Sequence, residues 1–187
     1  MARSGQSIEN PITGERVVFR KTAAETNGEL LQFDLYVKPG GYVTVEHIHA
    51  RQSERFDILS GTLDYRVGSE PEKQARPGQS FVVPAGAPHV WWNRGSEEMH
   101  ALIEFRPALE MEIFLEMLFG LARDGKTDAK GNVSFLQIML FSRRYGLFVP
   151  KPPIPLQRVL STVVAPVALL SGLRAYYPQY GGGGVRA

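Results

Sequence analysis

Three of the four histidines in this 187-residue chain, His47, His49 and His89, stand with Glu54 inside two short glycine-framed segments. The first runs from Gly41 through His47, His49 and Glu54 to Gly61; the second runs from Gly78 through Pro84, Gly86 and His89 to Asn93. Val43, Val45, His47 and His49 share one parity in a run rich in β-branched residues. A strand therefore projects both imidazoles from one face, where they can hold a single ion. Glu54 can return on the neighbouring strand, with Phe56 and Ile58 on its own face, and the turn Pro84-Ala85-Gly86 can aim His89 at the same point. Three imidazole nitrogens and one carboxylate oxygen, with no thiolate in the chain, suit Mn²⁺, Fe²⁺, Co²⁺, Ni²⁺ or Zn²⁺. A five- or six-coordinate ion so held keeps positions for water or substrate.

The elements that must carry these residues read as strands. Residues 16–22 and 29–38 alternate apolar and polar, with Asn27-Gly28 between them as a hairpin turn. Pro39-Gly40-Gly41 turns into the strand of His47 and His49. Segments 54–59 and 62–67 follow, joined through Ser60-Gly61, and the polar stretch 68–78 reads as a loop before strands at 80–83, 89–93 and 99–106. Strands recurring about every 8 to 12 residues are the pattern of a sandwich or barrel. The fourth histidine, His100, lies in the last of these strands, where Met99, Ala101, Ile103 and Phe105 form the apolar face; His100, Glu104 and Arg106 are expected in an outward row.

The two frames resemble the paired motifs of the cupin superfamily, over about residues 15–106 and with every anchoring position filled. Sixteen residues, 62–77, separate the motifs, as in compact microbial members. The resemblance implies a mainly β fold, an antiparallel jelly-roll β-barrel, with His47, His49, Glu54 and His89 as ligands of one divalent metal ion (Fe, Mn, Zn, Ni or Co). Gly41, Gly61, Gly78, Pro84 and Gly86 become turn positions and Asn93 a structural one. It further implies a small-molecule enzyme of dioxygenase-like type, with isomerases, lyases and decarboxylases as other members of the same ligand set. Glu54 is then a ligand able to accept a proton, and Phe56, Ile58, Phe81, Val83 and Trp91 form an apolar pocket for an oxygen-bearing, aromatic or terpenoid-like substrate. The competing expectation is a non-catalytic module that binds a metal or small ligand and carries an interaction tail.

After residue 106 the chain changes character, giving a division into a metal-binding barrel over 1–106 and a helical extension over 107–187 with a flexible end at 178–187. Pro107 suits the first turn of a helix whose stripe is Leu109, Ile113, Phe114, Met117 and Leu121, with Glu110, Glu112 and Glu116 off it. A second helix is expected over 134–145, stopped by Gly146. A third, over 156–176, is bent at Pro166. Its apolar residues, including Leu160, Val163, Val164, Val167 and Leu170, are expected to be covered by the preceding helices or by a partner subunit, with Arg158 and Arg174 reaching acidic groups of the barrel half.

Charge divides along the same boundary. Residues 129–187 hold seven basic residues and no acid, a net of +7, against fourteen basic and nineteen acidic residues before them, a net of −5. Such asymmetry points to an acidic partner surface, either the barrel itself or an anionic membrane. The uncharged run 159–173 falls short of a spanning helix. Scattered single cations without interleaved aromatics speak against nucleic acid. The absence of cysteine excludes a disulfide framework and a thiol nucleophile. With no apolar leader in residues 1–10, a cytoplasmic homodimer acting on a small molecule is expected.

Overall fold

A computed structural model of the chain describes residues 2–181. Ten strands come first: Ser7–Asn10 (β1), Glu15–Lys21 (β2), Leu31–Val37 (β3), His47–His49 (β4), Ser53–Ser60 (β5), Leu63–Val67 (β6), Lys73–Ala75 (β7), Ser80–Val83 (β8), Pro88–Trp92 (β9) and Met99–Arg106 (β10). The helices Met111–Arg123 (α1) and Phe135–Tyr145 (α2), the strand Leu147–Phe148 (β11) and the helix Ile154–Leu170 (α3) complete the order. The strands pair antiparallel in a six-stranded sheet, β1-β2-β3-β10-β5-β8, and a five-stranded sheet, β11-β4-β9-β6-β7. The fold is thus mainly β with a helical C-terminal part. Its strands make two facing sheets, and the described hydrogen bonds do not run round one closed cylinder.

Alternation along each strand explains the layering. In β10, Met99, Ala101, Ile103 and Phe105 are buried while the residues between them face outward at least in part. The same parity in β2 and β3 turns Val17, Phe19, Phe33 and Leu35 toward Leu63 and Trp91 of the facing sheet. Each such side chain contributes ~1.5–3 kcal/mol by leaving water. Two motif residues fix how the sheets meet. Asn93 is buried; its Nδ2 donates to the carbonyls of Val37 and Glu97 (both 2.8 Å), and its Oδ1 accepts from Gly95 N. Gly61 turns at φ 68°, where a Cβ would stand 2.8 Å from Met99 Cα, so no larger residue fits the β5–β6 corner.

Several boundaries differ from expectation. β1, β7 and β11 were not legible as strands; β11 pairs with β4, Leu147 opposite His49, so the helical part extends the sheet that carries the histidines. The first helix starts at Met111 and not at Pro107, because Leu109 adopts φ 47°, a left-handed turn that no helix can contain. Glu112 and Glu116, expected off the buried stripe, are buried: Glu112 Oε2 accepts from Ala23 N (2.8 Å) and Glu116 Oε1 from Gln6 Nε2 (3.1 Å), which ties α1 to the N-terminal segment. The second helix is as read, with the Ser134 hydroxyl accepting from Gln137 N and Gly146 closing it at φ 70°. Of the end expected to be flexible from 178, Tyr180 is buried on Gly120 and donates to Asp124 Oδ2 (2.6 Å); residues 182–187 lie outside the described residues.

The third helix departs furthest. Its buried residues are Gln157, Ser161, Ala165 and Ala168, packed toward α2, while Val159, Val163, Val167 and Leu170 are exposed. The buried Gln157 amide donates to the carbonyls of Val149 and Pro152 and accepts from Val149 N, clamping the link to α3. Gln157→Ala is expected to lower the unfolding free energy by ~2–4 kcal/mol, since it orphans buried backbone groups. A urea titration giving less than ~0.5 kcal/mol, the range of an ordinary surface substitution, would remove that clamp from the account. Arg158 and Arg174 do not reach the acids expected for them: Arg158 lies over the Phe148 ring and Arg174 donates to the carbonyls of Leu169 and Leu173 at the helix end. The carbonyls at and just past the end of α3 carry partial negative charge and lie closer to Arg174 than the acids of the barrel half do.

Candidate metal centre

The four residues singled out by their spacing converge. His47 and His89 stand directly opposite each other in the pairing of β4 with β9, so their rings are neighbours by register, with centroids 4.2 Å apart. The turn before β9 is fastened to the histidine strand by Gly86 N donating to His49 O (2.9 Å), which sets where His89 emerges. Glu54 arrives by a different route from the one expected. β5 is not a neighbour of β4 but belongs to the six-stranded sheet, where Glu54 stands opposite Phe105 and Val83, so its carboxylate reaches the histidines across the space between the sheets.

The donor atoms of the four side chains lie within 4.8 Å of one another. His47 Nε2 is 3.1 Å from His49 Nε2, Glu54 Oε2 is 3.4 Å from His49 Nε2, and Glu54 Oε2 is 2.9 Å from His89 Nε2. Donors each ~2.1 Å from one ion and ~90–110° apart stand ~3.0–3.4 Å from one another, so the spacing matches a shared cation. Backbone carbonyls can only accept, and those of Val45 and Ala87 lie 3.1 Å and 3.4 Å from Nδ1 of His47 and His89. They place the ring proton on Nδ1 and leave the Nε2 lone pairs facing inward, the arrangement that metal-binding imidazoles require. Glu54 Oε2 and His89 Nε2 are buried and, despite their proximity, satisfied by no hydrogen bond. A divalent cation fits that need.

Charge state agrees with the geometry. Burial, reinforced by the rings of His89 and His49, holds His47 well below the ordinary imidazole range, and burial lowers His49. Burial alone would raise Glu54, but the adjoining imidazoles of His49 and His89 outweigh it and hold the carboxyl below its usual range. At neutral pH the site therefore presents neutral nitrogens at His47 and His49 and a carboxylate, which is the form that binds metal.

The centre opens into an apolar cavity of about 70 Å³ walled by Val17, Phe33, Leu35, Trp91 and Phe105 and closed by Met111, Phe114, Leu115 and Leu118 of α1. A second cavity of about 120 Å³ adjoins it, sharing Val43, Thr44, His47, Phe114 and Leu118 and extending to Ile138 and Phe141 of α2 and to Leu147 and Phe148. Of the five interior residues expected to form the pocket, Trp91 alone lines either cavity. Phe56, Ile58 and Val83 are core, and Phe81 is sandwiched between Phe56 (4.6 Å) and Tyr65 (3.7 Å). Helices α1 and α2 supply the walls instead, so the extension completes the site.

One candidate functional group was missed in the sequence. Glu15 on β2 lines the same cavity as His47, His49 and Glu54, is 8% exposed, and accepts from the Thr13 hydroxyl (2.5 Å). Burial raises its pKa to about 7, against the opposing Thr13 hydrogen bond and with help from the Glu54 charge. Its inward parity in an alternating strand was readable; its position opposite the histidines was not. His100, by contrast, lies on the outward row, stacked on Tyr36 (4.2 Å, 13°) with Nε2 2.9 Å from Asp34 Oδ1. The contact belongs to the outer surface of the six-stranded sheet.

Comparison with known proteins follows the same division of the chain. Residues 33–104 match the family model Cupin_2, described as the cupin domain. Among curated proteins nothing matches. Solved structures that resemble it include a sugar phosphate isomerase of the cupin superfamily from Silicibacter pomeroyi, 19% identical with a TM-score of 0.45 over 51% of this chain and 60% of that one. KdgF from Halomonas sp. is 16% identical with a TM-score of 0.47 over 54% and 86% of the two chains. The DMSP lyase DddQ from Ruegeria pomeroyi is 26% identical with a TM-score of 0.40 over 44% and 41%. The match thus spans less than two thirds of the isomerase and of the lyase.

Proposed function

We propose that this protein, whose residues 33–104 match the cupin domain model, binds one divalent metal ion through His47, His49, Glu54 and His89 and is an enzyme acting on a small oxygen-bearing molecule with an apolar body. The observation that carries this reading is the convergence of four metal donors and a fifth, separate carboxyl, Glu15, on one apolar cavity. A bound divalent ion would supply a Lewis acid for a substrate oxygen. The rest is the work of this chain's residues. Phe114, Leu118 and Phe141 receive the apolar body and keep water from it. The metal-side carboxylate, Glu54, stays ionised beside two imidazoles, which makes it a ligand. Glu15 holds its proton near neutrality, the range in which a general acid or base is most effective. We therefore give the proton-handling role that the sequence suggested for Glu54 to Glu15.

Proton-transfer chemistry of isomerase, lyase or decarboxylase type is the reading that Glu15 favours. A dioxygenase-like oxidation, the expectation from the sequence, is favoured by the apolar walls, which suit an aromatic or terpenoid-like substrate. In both, the two sheets act as a jelly-roll barrel around the metal, and the protein works in the cytoplasm. Turnover of oxygen-bearing apolar substrates by protein reconstituted with Mn²⁺, Fe²⁺, Co²⁺, Ni²⁺ or Zn²⁺ separates the readings. Equal rates in anaerobic and aerated buffer, with Glu15→Gln reducing kcat ~10²-fold, are the expected result. Consumption of one dioxygen per product would establish oxidation instead. A protein that holds its metal without exchangeable water and turns over nothing would be the non-catalytic module.

A further inference from the structure

The third helix is turned inside out. Leu156, Val159, Val163, Val167 and Leu170 follow one another at offsets of three and four, so they share one face of α3, and that face is outward: Val163 is 68% and Leu170 89% exposed. The inward face is polar or small, with Gln157, Ser161, Ala165 and Ala168 buried against the molecule. Single exposed leucines are ordinary, but a contiguous apolar stripe five residues long is a contact surface. Nothing among the described residues covers it.

We propose that α3 is a docking surface for an anionic lipid bilayer, lying in the plane of the headgroups with this stripe inserted. The charge around it selects this occupant. From residue 129 to 187 the chain carries seven cations and no acid, and Arg143, Lys151, Arg158 and Arg174 are exposed. Two copies meeting stripe to stripe would bring together two tails that hold no carboxylate of their own, with Arg144 alone among the described cations neutralised, by Glu110. Anionic headgroups supply the missing negative charge, and apolar insertion and cation attraction then act together. At 17 residues α3 is ~25 Å long, right for lying along the interface and short of the ~20 residues that span it. No described helix is long and apolar enough to cross a membrane.

The test uses the full-length protein and extruded vesicles, either phosphatidylcholine alone or phosphatidylcholine with a quarter phosphatidylserine. Co-sedimentation is expected with the anionic vesicles at low salt, with at least ~10-fold weaker binding to neutral ones, and release as ionic strength rises toward 0.5 M, where screening is nearly complete within ~5 Å. The double variant Val163→Asp, Val167→Asp should lose at least ~30-fold in partitioning. Its circular dichroism and metal content should match the unchanged protein, because both positions are solvent-exposed. Failure to bind anionic vesicles, or equal binding by the double variant, overturns the proposal. So does a wild-type homodimer in sedimentation velocity that the same two substitutions dissociate, since the stripe would then be an interface between copies.

Discussion

Replacing His47 and His49 together with alanine is expected to reduce metal content from one ion per chain to a trace. Zinc- or manganese-loaded protein, desalted and measured by elemental analysis, gives the reading. The size of the effect follows from the geometry: the pair supplies two of four donors, and even outer partners that merely orient a ligand are worth ~10–100-fold in affinity. Loss of two ligands must exceed that. The remaining Glu54 and His89 lie 2.9 Å apart, and once His89 carries a proton on Nε2 it can donate to the Glu54 carboxylate, so the variant has a way to keep its buried charge satisfied and should fold. His100→Ala is the control, because its partner Asp34 and its stacking residue Tyr36 face away from the cavity, and its occupancy should be unchanged. Undiminished metal in the double variant would end the reading of this site as a metal centre.

How much of this was written in the sequence depends on the range of the interaction involved. The pairing of His47 with His49 was legible, because parity places them on one face whatever the strand pairs with. The route of Glu54 was not. Alternation reports which face a residue occupies but not to which sheet its strand belongs, and β4 and β5 separate into different sheets at the 50–52 link. The same limit hid the cavity walls. Phe56, Ile58 and Val83 have inward parity yet are buried in the core and line neither cavity, while Phe114 of α1 and Phe141 of α2, whose helix leads into the β11 strand paired with β4, line the cavity beside His47. Which side of the third helix packs on the rest of the chain was not legible, for another reason. Its sequence is apolar on most faces, and burial was assigned to the apolar side; yet Gln157 bridges the backbone of Val149 and Pro152 and so commits the polar side inward. A single buried amide decided the orientation that hydropathy could not.

The last expectation concerns Glu15 and inverts the usual effect of pH on a carboxylate. Most buried acids in proteins are paired, with lowered pKa values, and stabilise the fold as pH rises. Glu15 is raised from 4.5 to about 7, first by burial and further by the charge of Glu54, with only the Thr13 hydroxyl opposing. The sign follows from proton counting. Between pH 4.5 and about 7 the unfolded chain has released this proton and the folded chain still holds it, so the unfolded state binds fewer protons and stability falls as pH rises through that window. The full difference is ~3 kcal/mol, complete above the folded pKa and absent below the unfolded one. Glu15→Gln keeps a neutral group of the same shape that can still accept from Thr13, and it removes the titration. In metal-free protein the variant should therefore match the wild type at pH 4 and exceed it by ~3 kcal/mol at pH 8, read as a shift in urea midpoint at constant slope. Glu112 is also raised by burial, but it is present in both proteins and cancels in the comparison. A stability difference that is the same at both pH values would mean that Glu15 titrates like an ordinary surface carboxyl, and the proton-transfer reading of the site would lose the group it depends on.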